Sequence, residues 1–390
     1  MTELISRMAA VTYFIVGGLA VIALAGQNTS TSNQDTAAIE RQQQIESLVA
    51  QLGSRSFAER RLATERLVTF GLDAQDALRK AIESADYEVR IRGEMALRRI
   101  RQQQRFRLIS KLTEGGDANQ LNLPGWSEFV TLVGDSSETR SLFGDMLAEE
   151  WAFLDEVFFA KNTSLPKLLT ERCEQLTHQR RQFGAGYSAG NLTTLLFVSV
   201  AQDTEGQPLP GELIRLMFDN EFRAAVNGGP HRAALMKLLG KLVSSDFDMP
   251  TSWASTRLIL AMQYDVPEGV ELAKQIASQN DSSPTILQWA LLAIGKLGKQ
   301  EDLLVLTQKL TDETVVGMPR NRRNAGFSTQ IRDVALACLV QRSGESLKDY
   351  GLRQAIADPN AFLRLTTIGF ASDEEREQAI KRWQQRHTSD

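Results

Sequence analysis

The sequence predicts an all-α protein, a helical-repeat α-solenoid with an irregular helical middle region. Three observations carry that expectation. One spacing recurs: a capping residue, Arg four positions on, a small residue three further, and Leu four beyond that. It reads Ser56, Arg60, Ala63, Leu67, then Asp86, Arg90, Gly93, Leu97, and near the other end Ser328, Arg332, Ala335, Leu339. A degenerate copy sets Asn360 before Arg364. Ser, Asp and Asn accept from the orphan N–H groups that open a helix. Small and large apolar residues four apart share one helix face, where the small one admits a neighbouring helix. The second observation is composition. Leu, Ala, Arg, Gln and Glu are abundant and alternating β-branched runs are scarce, which favours helix over strand. The third is punctuation: Gly and Pro clusters break the chain at helix-length intervals.

Residues 1–26 are read as a signal peptide or N-terminal membrane anchor. Met8 to Gly26 is almost wholly apolar, follows Arg7, and ends in Ala23-Leu24-Ala25 ahead of a polar stretch. Cleavage after Ala25 and retention as a single span are the two alternatives. In both, Arg7 stays inside and the body is exported, to the periplasm or cell envelope. Residues 27–44 form a polar linker and the start of the first helix, near Asp35 or Thr36. Ile45, Leu48, Val49 and Leu52 continue that helix at helical spacing, and Gly53 ends it.

Residues 45–111 are the predicted helical repeats. Over 56–71 the stripe is Phe57, Leu62, Ala63, Leu67 and Phe70, with Gly71 as the stop. An antiparallel helix over 73–84 carries Ala74, Ala77, Leu78, Ala81 and Ile82 on one face, and a helix over 87–101 carries Val89, Ile91, Met95, Leu97 and Ile100. No such pair buries its stripe alone, so pairs must stack.

Residues 112–230 leave this period but read as helices over 126–132, 139–159, 165–183, 191–203 and 213–226. Residues 231–390 return to helix pairs over 231–244, 251–263, 267–279, 284–297 and 300–311, with Pro250, Pro267 and Pro284 near helix starts. The loop 312–327 is long and basic, with Arg320, Arg322 and Arg323, and loops of that length tend to carry function.

These residues carry a resemblance. The pattern S-F-A-x-R-x-x-A-x-x-x-L-x-x-x-G-x-x-A-x-x-x-L-x-x-A over 56–81, followed by D-x-E-V-R-x-R at 86–92, resembles HEAT-type repeats. It is most similar to the version in exported bacterial HEAT-repeat proteins of unassigned function. Arg332-Asp333-Val334-Ala335-Leu336-Ala337, Lys348-Asp349-Tyr350-Gly351, and Phe370 to Arg376 with Trp383 resemble the tail of that group. The resemblance covers 55–104 and 328–385. It implies an armadillo-like helical architecture and brings no catalytic residues.

Candidate chemistry is sparse. The 390 residues carry a formal net charge of −4, so no general attraction to nucleic acid or membrane surface follows. His178, His231 and His387 make no metal-ligand pair, and His387 is expected to be frayed. Cys173 and Cys338 read as separate buried thiols, a long-range disulfide being the alternative. The run Phe183 to Asn191 is glycine-rich, but it lacks the G-x-G-x-x-G spacing, a preceding strand and a G-K-S/T, so it reads as a loop ending in an Asn191 cap. Glu149-Glu150 and Asp155-Glu156 read as a solvated helix face. No cofactor and no metal are expected.

Charge is unevenly spread. Residues 55–111 hold fourteen basic and eight acidic side chains, whereas 112–169 hold three basic and ten acidic. Arg98, Arg99 and Arg101 crowd the end of the basic stretch, with few aromatics interleaved. The expected function is therefore a non-catalytic scaffold that binds a protein partner along a helical-repeat surface. Arg98, Arg99, Arg101, Arg320, Arg322 and Arg323 are the candidate contacts. Two alternatives stay open: a hydrolase-like site around Cys173, His178 and Ser188, and an anionic polymer bound by the 55–111 arginines, nucleic acid being disfavoured.

Overall fold

The computed structural model describes residues 36–160, 164–184, 186–201, 210–245, 251–279, 281–317 and 327–387. The apolar run 8–26, Pro250 and the arginines at 320, 322 and 323 lie outside the described residues. Among the described residues the chain is predominantly helical with a few short strands, and no helix is long and apolar enough to cross a membrane. The chain divides into two compact units at Leu108 and Ile109, within one long helix.

The first unit contains α1 (residues 36–51), α2 (Phe57–Phe70), α3 (Gln75–Ile82) and most of α4 (Tyr87–Thr113). Ser56 caps α2, and the Gly71 N–H closes it on the Val68 carbonyl. Ile45, Leu48 and Leu52 of α1, Ala63, Leu67 and Val68 of α2, Ala74 and Leu78, and Ala96, Leu97 and Ile100 of α4 make one core. Gly93 is buried where a Cβ would stand 3.3 Å from the Ala81 methyl, so α4 rides directly on α3. The stripe expected from sequence is partly displaced. Phe57, Leu62, Ile91 and Met95 are exposed, while Thr64 and Val68 are buried. Helix α4 also runs a dozen residues past its expected end.

The second unit contains the rest of α4, then α5 (Trp126–Val133), α6 (Ser137–Phe159), α7 (Leu165–Phe183), α8 (Ala189–Ala201), α9 (Gly211–Met217), α10 (Asn220–Gly228), α11 (Arg232–Ser244), α12 (Thr251–Tyr264), α13 (Gly269–Ser278), α14 (Pro284–Leu297), α15 (Leu303–Gln308), α16 (Ile331–Ser343) and α17 (Asp373–His387). The single helix expected over 213–226 is two, because Asp219 accepts from the Glu221 N–H and restarts the chain as α10.

Helices α8 and α14 are apolar nearly all round and buried accordingly, and α16 is buried over most of its length with Arg332 and Asp333 enclosed among its apolar residues. Around α8 gathers an aromatic group in which the Phe129 ring lies 5.0 Å from Phe143 and 5.1 Å from Phe197 between centroids. Around α14 and α16 pack Leu258, Met262, Leu306, Tyr350, Phe370 and Trp383.

The third copy of the recurring spacing departs from the first two. Gln330, not Ser328, caps α16, and Asp333 completes a capping box by accepting from the Gln330 N–H at 2.8 Å. Ser328 instead pairs with Phe370 in an isolated antiparallel bridge. Ala335 and Leu339 are buried on α16. The fourth copy is not helical. Asn360 sits in the turn, and Arg364 just past the end, of a hairpin of β3 (Ala357–Asp358) and β4 (Phe362–Leu363). Part of the expected loop 312–327 is strand, since β1 (Val315–Gly317) pairs with β2 (Thr329–Gln330).

One buried ion pair fastens α17 to α16. Arg376 and Asp333 are each almost completely enclosed. Arg376 Nε donates to Asp333 Oδ1 at 2.6 Å, Nη2 donates to Oδ2 at 3.2 Å, and Nη1 bonds Asp373. Two outcomes follow from this packing. Ala63→Phe overfills the α2 core and is expected to cost about 1–3 kcal/mol in urea denaturation. Arg376→Met leaves Asp333 buried without its cation and should cost about 3–5 kcal/mol, only part of it recovered in the double variant Asp333→Leu/Arg376→Met, which also removes the acceptor of the Gln330 N–H, as a double-mutant cycle would read.

Candidate functional site

The recurring arginines of the first unit have a local task. Ahead of α2, the Ser56 N–H donates to Ser54 Oγ at 3.1 Å, and Arg60 Nη1 donates to the carbonyls of Ser54 at 2.7 Å and Arg55 at 3.1 Å. Ahead of α4, the Asp86 N–H donates to Ser84 Oγ at 3.2 Å, and Arg90 Nη1 donates to the carbonyls of Ser84 at 2.8 Å and Ala85 at 2.9 Å. The same turn is thus built twice. In each, an arginine on the first turn of a helix reaches back to carbonyls of the turn that leads into that helix.

An aromatic residue opens each of these helices beside its arginine. Phe57 lies 5.8 Å from the Arg60 guanidinium and 5.5 Å from that of Arg92, and Tyr87 lies 5.6 Å from Arg90. Aromatics and arginines therefore interleave here, contrary to the expectation from sequence. Glu88 joins the two turns. Arg92 Nε donates to its Oε1 at 2.7 Å, and Arg60 Nε stands 2.7 Å from the same oxygen. Hydrogen bonding to Arg92 and the nearby Arg60 charge hold the Glu88 carboxyl below its ordinary range.

The candidate contacts Arg98, Arg99 and Arg101 are exposed on α4 and make no ion pair among the described residues. Arg332, read from sequence as a repeat position, is buried instead. It donates to Gln330 Oε1 at 2.6 Å and Glu313 Oε1 at 3.0 Å. Arg320, Arg322 and Arg323 lie outside the described residues.

The alternative site in the middle region is not brought together. Cys173 is enclosed on α7, and burial pushes its thiol up to about 12, away from thiolate. His178 faces outward on the same helix. Ser188 Oγ accepts from the Asn191 N–H at 3.0 Å while Asn191 Oδ1 accepts from the Ser188 N–H at 3.0 Å. Ser188 is thus the cap of α8, and Asn191 is its reciprocal partner rather than the cap itself. No hydrogen bond among the described residues joins Cys173, His178 and Ser188.

Glu150 was missed from sequence. Although its neighbour Glu149 is exposed, Glu150 is buried at a kink in α6. Arg172 grips its two oxygens at 2.8 and 2.7 Å, and Asn191 Nδ2 donates to Oε1 at 2.7 Å. The available signal is its place at helical spacing after Phe143, Met146 and Leu147, a charge on an apolar stripe. Gly190 sits beside this network, where a Cβ would stand 2.6 Å from the Asp145 carbonyl oxygen. Within the glycine-rich run, Gly190 thus serves close packing, while Gly184 closes α7 in the left-handed conformation. A shallow groove of about 340 Å³ between α6 and α7 is lined by Glu149, Glu156 and Glu171 with Arg172.

At the other end of the second unit, a cleft of about 490 Å³ lies over Tyr350 and Phe370, rimmed by Lys348, Arg353 and Glu375. Beside it His387 is ordered rather than frayed. Its ring stacks 3.8 Å from Trp383, and Nε2 lies 2.6 Å from Glu345 Oε1. Bonds from Tyr350, His387 and Arg386 hold the Glu345 carboxyl below its usual range. Among the described residues no group of His, Cys, Asp and Glu is placed to hold a metal ion. Comparison with known protein families, curated proteins and solved structures finds no match to this chain.

Burial pushes the Cys338 thiol up as well. Both thiols should therefore resist a maleimide in the native protein at pH 8, and both should react when guanidinium unfolds it. Mass spectrometry of the labelled protein reads the outcome.

Proposed function

We propose that this chain is a non-catalytic interaction protein. Its first unit is a short stack of HEAT-type repeats that binds a protein partner, and the chain is exported to the cell envelope by residues 8–26. The observation that carries the reading is a division of labour among the arginines. Arg60, Arg90 and Arg92 are used within the fold, on carbonyls and on Glu88. Arg98, Arg99 and Arg101 are not, and they stand on the same helix as exposed Tyr87, Met95 and Phe106. Exposed cations beside exposed apolar side chains favour association with a complementary surface. The second reading, an anionic polymer, gains some support from Phe57 and Tyr87 beside arginines, since rings and guanidinium groups stack on bases or sugars.

Affinity capture with the full chain from envelope extract tests the proposal, with quantitative mass spectrometry and a parallel Arg98→Ser/Arg99→Ser/Arg101→Ser variant. We expect a protein retained by the wild type and depleted by about tenfold with the variant, with a thermal melting point unchanged because the three side chains are solvated. Retention of nucleic acid or polysaccharide in place of protein would favour the second reading. Retention of nothing above the control would dismiss both.

A further inference from the structure

Two copies of one local structure allow a test that a single copy does not. A shift of thirty residues carries Ala63 onto Gly93 and Leu67 onto Leu97, both pairs buried. The same shift carries Arg61 onto Ile91 and Glu65 onto Met95. On α2 these two positions face outward as a loose ion pair at 3.8 Å, with side chains 66% and 52% exposed. The fold therefore asks nothing apolar of them. On α4 they are apolar and still outside, Ile91 at 36% and Met95 at 52% exposure.

They belong to a longer line. At 100° per residue, Tyr87, Ile91, Met95, Arg98, Gln102 and Phe106 fall within an arc of about 100° on α4, a strip about 28 Å long. Tyr87 and Phe106 are 67% and 58% exposed. By the same geometry Arg101 lies along one edge of the strip and Arg99 along the other, with Arg98 within it. Glu94 stands on the Arg101 edge, Glu88 on the Arg99 edge is already held by Arg60 and Arg92, and Arg105 falls on the line of Tyr87. Arg98, Arg99 and Arg101, which make no ion pair among the described residues, thus face only Glu94 as an uncommitted carboxylate.

We infer that this outward strip of α4 is the docking site for an acidic amphipathic helix of a partner protein. The inference rests on reading the chain as an interaction protein. The strip is one helix wide and as long as five turns, the dimensions into which another helix lays its apolar ridge. Arginines on both edges call for carboxylates on both sides of that ridge, and the Arg guanidinium forms bidentate bonds to carboxylate.

The test uses the full chain and a fluorescent 20-residue peptide with leucines at three- and four-residue spacing and glutamates elsewhere. Its twin carries lysines in place of the glutamates. The protein variants are Ile91→Glu/Met95→Glu, Arg98→Ser/Arg99→Ser/Arg101→Ser, and Arg61→Ala/Glu65→Ala as a control. All the changed side chains are exposed, and circular dichroism verifies that each variant folds. We expect saturable binding of the glutamate peptide, weakened about tenfold or more by each of the two α4 variants and within about twofold of wild type in the α2 control. The arginine variant should also flatten the salt dependence. The lysine twin should not bind. The inference is overturned if the glutamate peptide does not bind, if it binds the Ile91→Glu/Met95→Glu variant as well as wild type, or if the lysine twin binds equally. It is overturned too if vesicles of anionic phospholipid hold the chain through Ile91 and Met95 while the peptide does not. A partner captured from extract equally by wild type and by the Ile91→Glu/Met95→Glu variant would leave the interaction reading standing and remove only the strip.

Discussion

A helix buried on every side must settle its polar end inside the protein, and the second unit is organised around that requirement. Helices α8 and α16 are both enclosed nearly all round. Their first N–H groups cannot be left to water, and an unsatisfied buried group costs about 1–3 kcal/mol. Each helix answers with a capping box that is itself tied to a buried ion pair. For α8 the chain of bonds runs from Ser188 through Asn191 to Glu150 and Arg172. For α16 it runs from Gln330 through Asp333 to Arg376. These links dictate which helices stand next to the buried ones. Arg172 brings α7 against α6 and α8, and Arg376 brings α17 onto α16.

The first unit fastens its turns rather than its helix ends. Arg60 and Arg90 reach back to carbonyls of the turns that lead into α2 and α4. Their rings and carboxylate neighbours, Phe57, Tyr87 and Glu88, hold the guanidinium groups in place. The equivalence of the two turns is incomplete in one respect. Arg60 has a carboxylate thirty residues ahead of Ala58, at Glu88, but the residue thirty beyond Glu88 is Ala118. Residues equivalent to buried Thr64 and Val68 are Glu94 and Arg98, both exposed.

The same separation bears on function. Side chains that a sequence pattern picks out most readily are those the fold repeats, and here they are used for folding. The recognition proposed for α4 rests on positions where the copies differ. Ile91 and Met95 stand out only because Arg61 and Glu65 occupy the same places in the other copy and satisfy the fold equally well. In the middle region the residues that looked reactive are also structural. The Cys173 thiol is shielded and Ser188 is a helix cap.

Helical class, the extents of α5, α6, α7, α11 and α14, and the caps at Ser56 and Asp86 were legible in the sequence, because periodicity and capping are set within a turn or two of the residue concerned. The burial of Leu67, Leu97 and Leu339 was legible for the same reason. Which of several apolar positions turns inward was not. Phe57, Ile91 and Met95 fit the stripe, yet Thr64 and Val68 are covered, because the choice depends on which helices pack alongside. The inward path of Glu150 and Arg376 was likewise settled by partners 22 and 43 residues away, Arg172 and Asp333. Their only trace in the sequence is a charge on an apolar stripe, and a charge so placed is stable only when the tertiary fold delivers its counterpart. Local rules act over a few residues of chain, whereas the pairing of a buried charge is decided by neighbours in space. Hence the sequence determined most of the helices and their caps, and only the tertiary structure decided which charges are enclosed and which stay exposed.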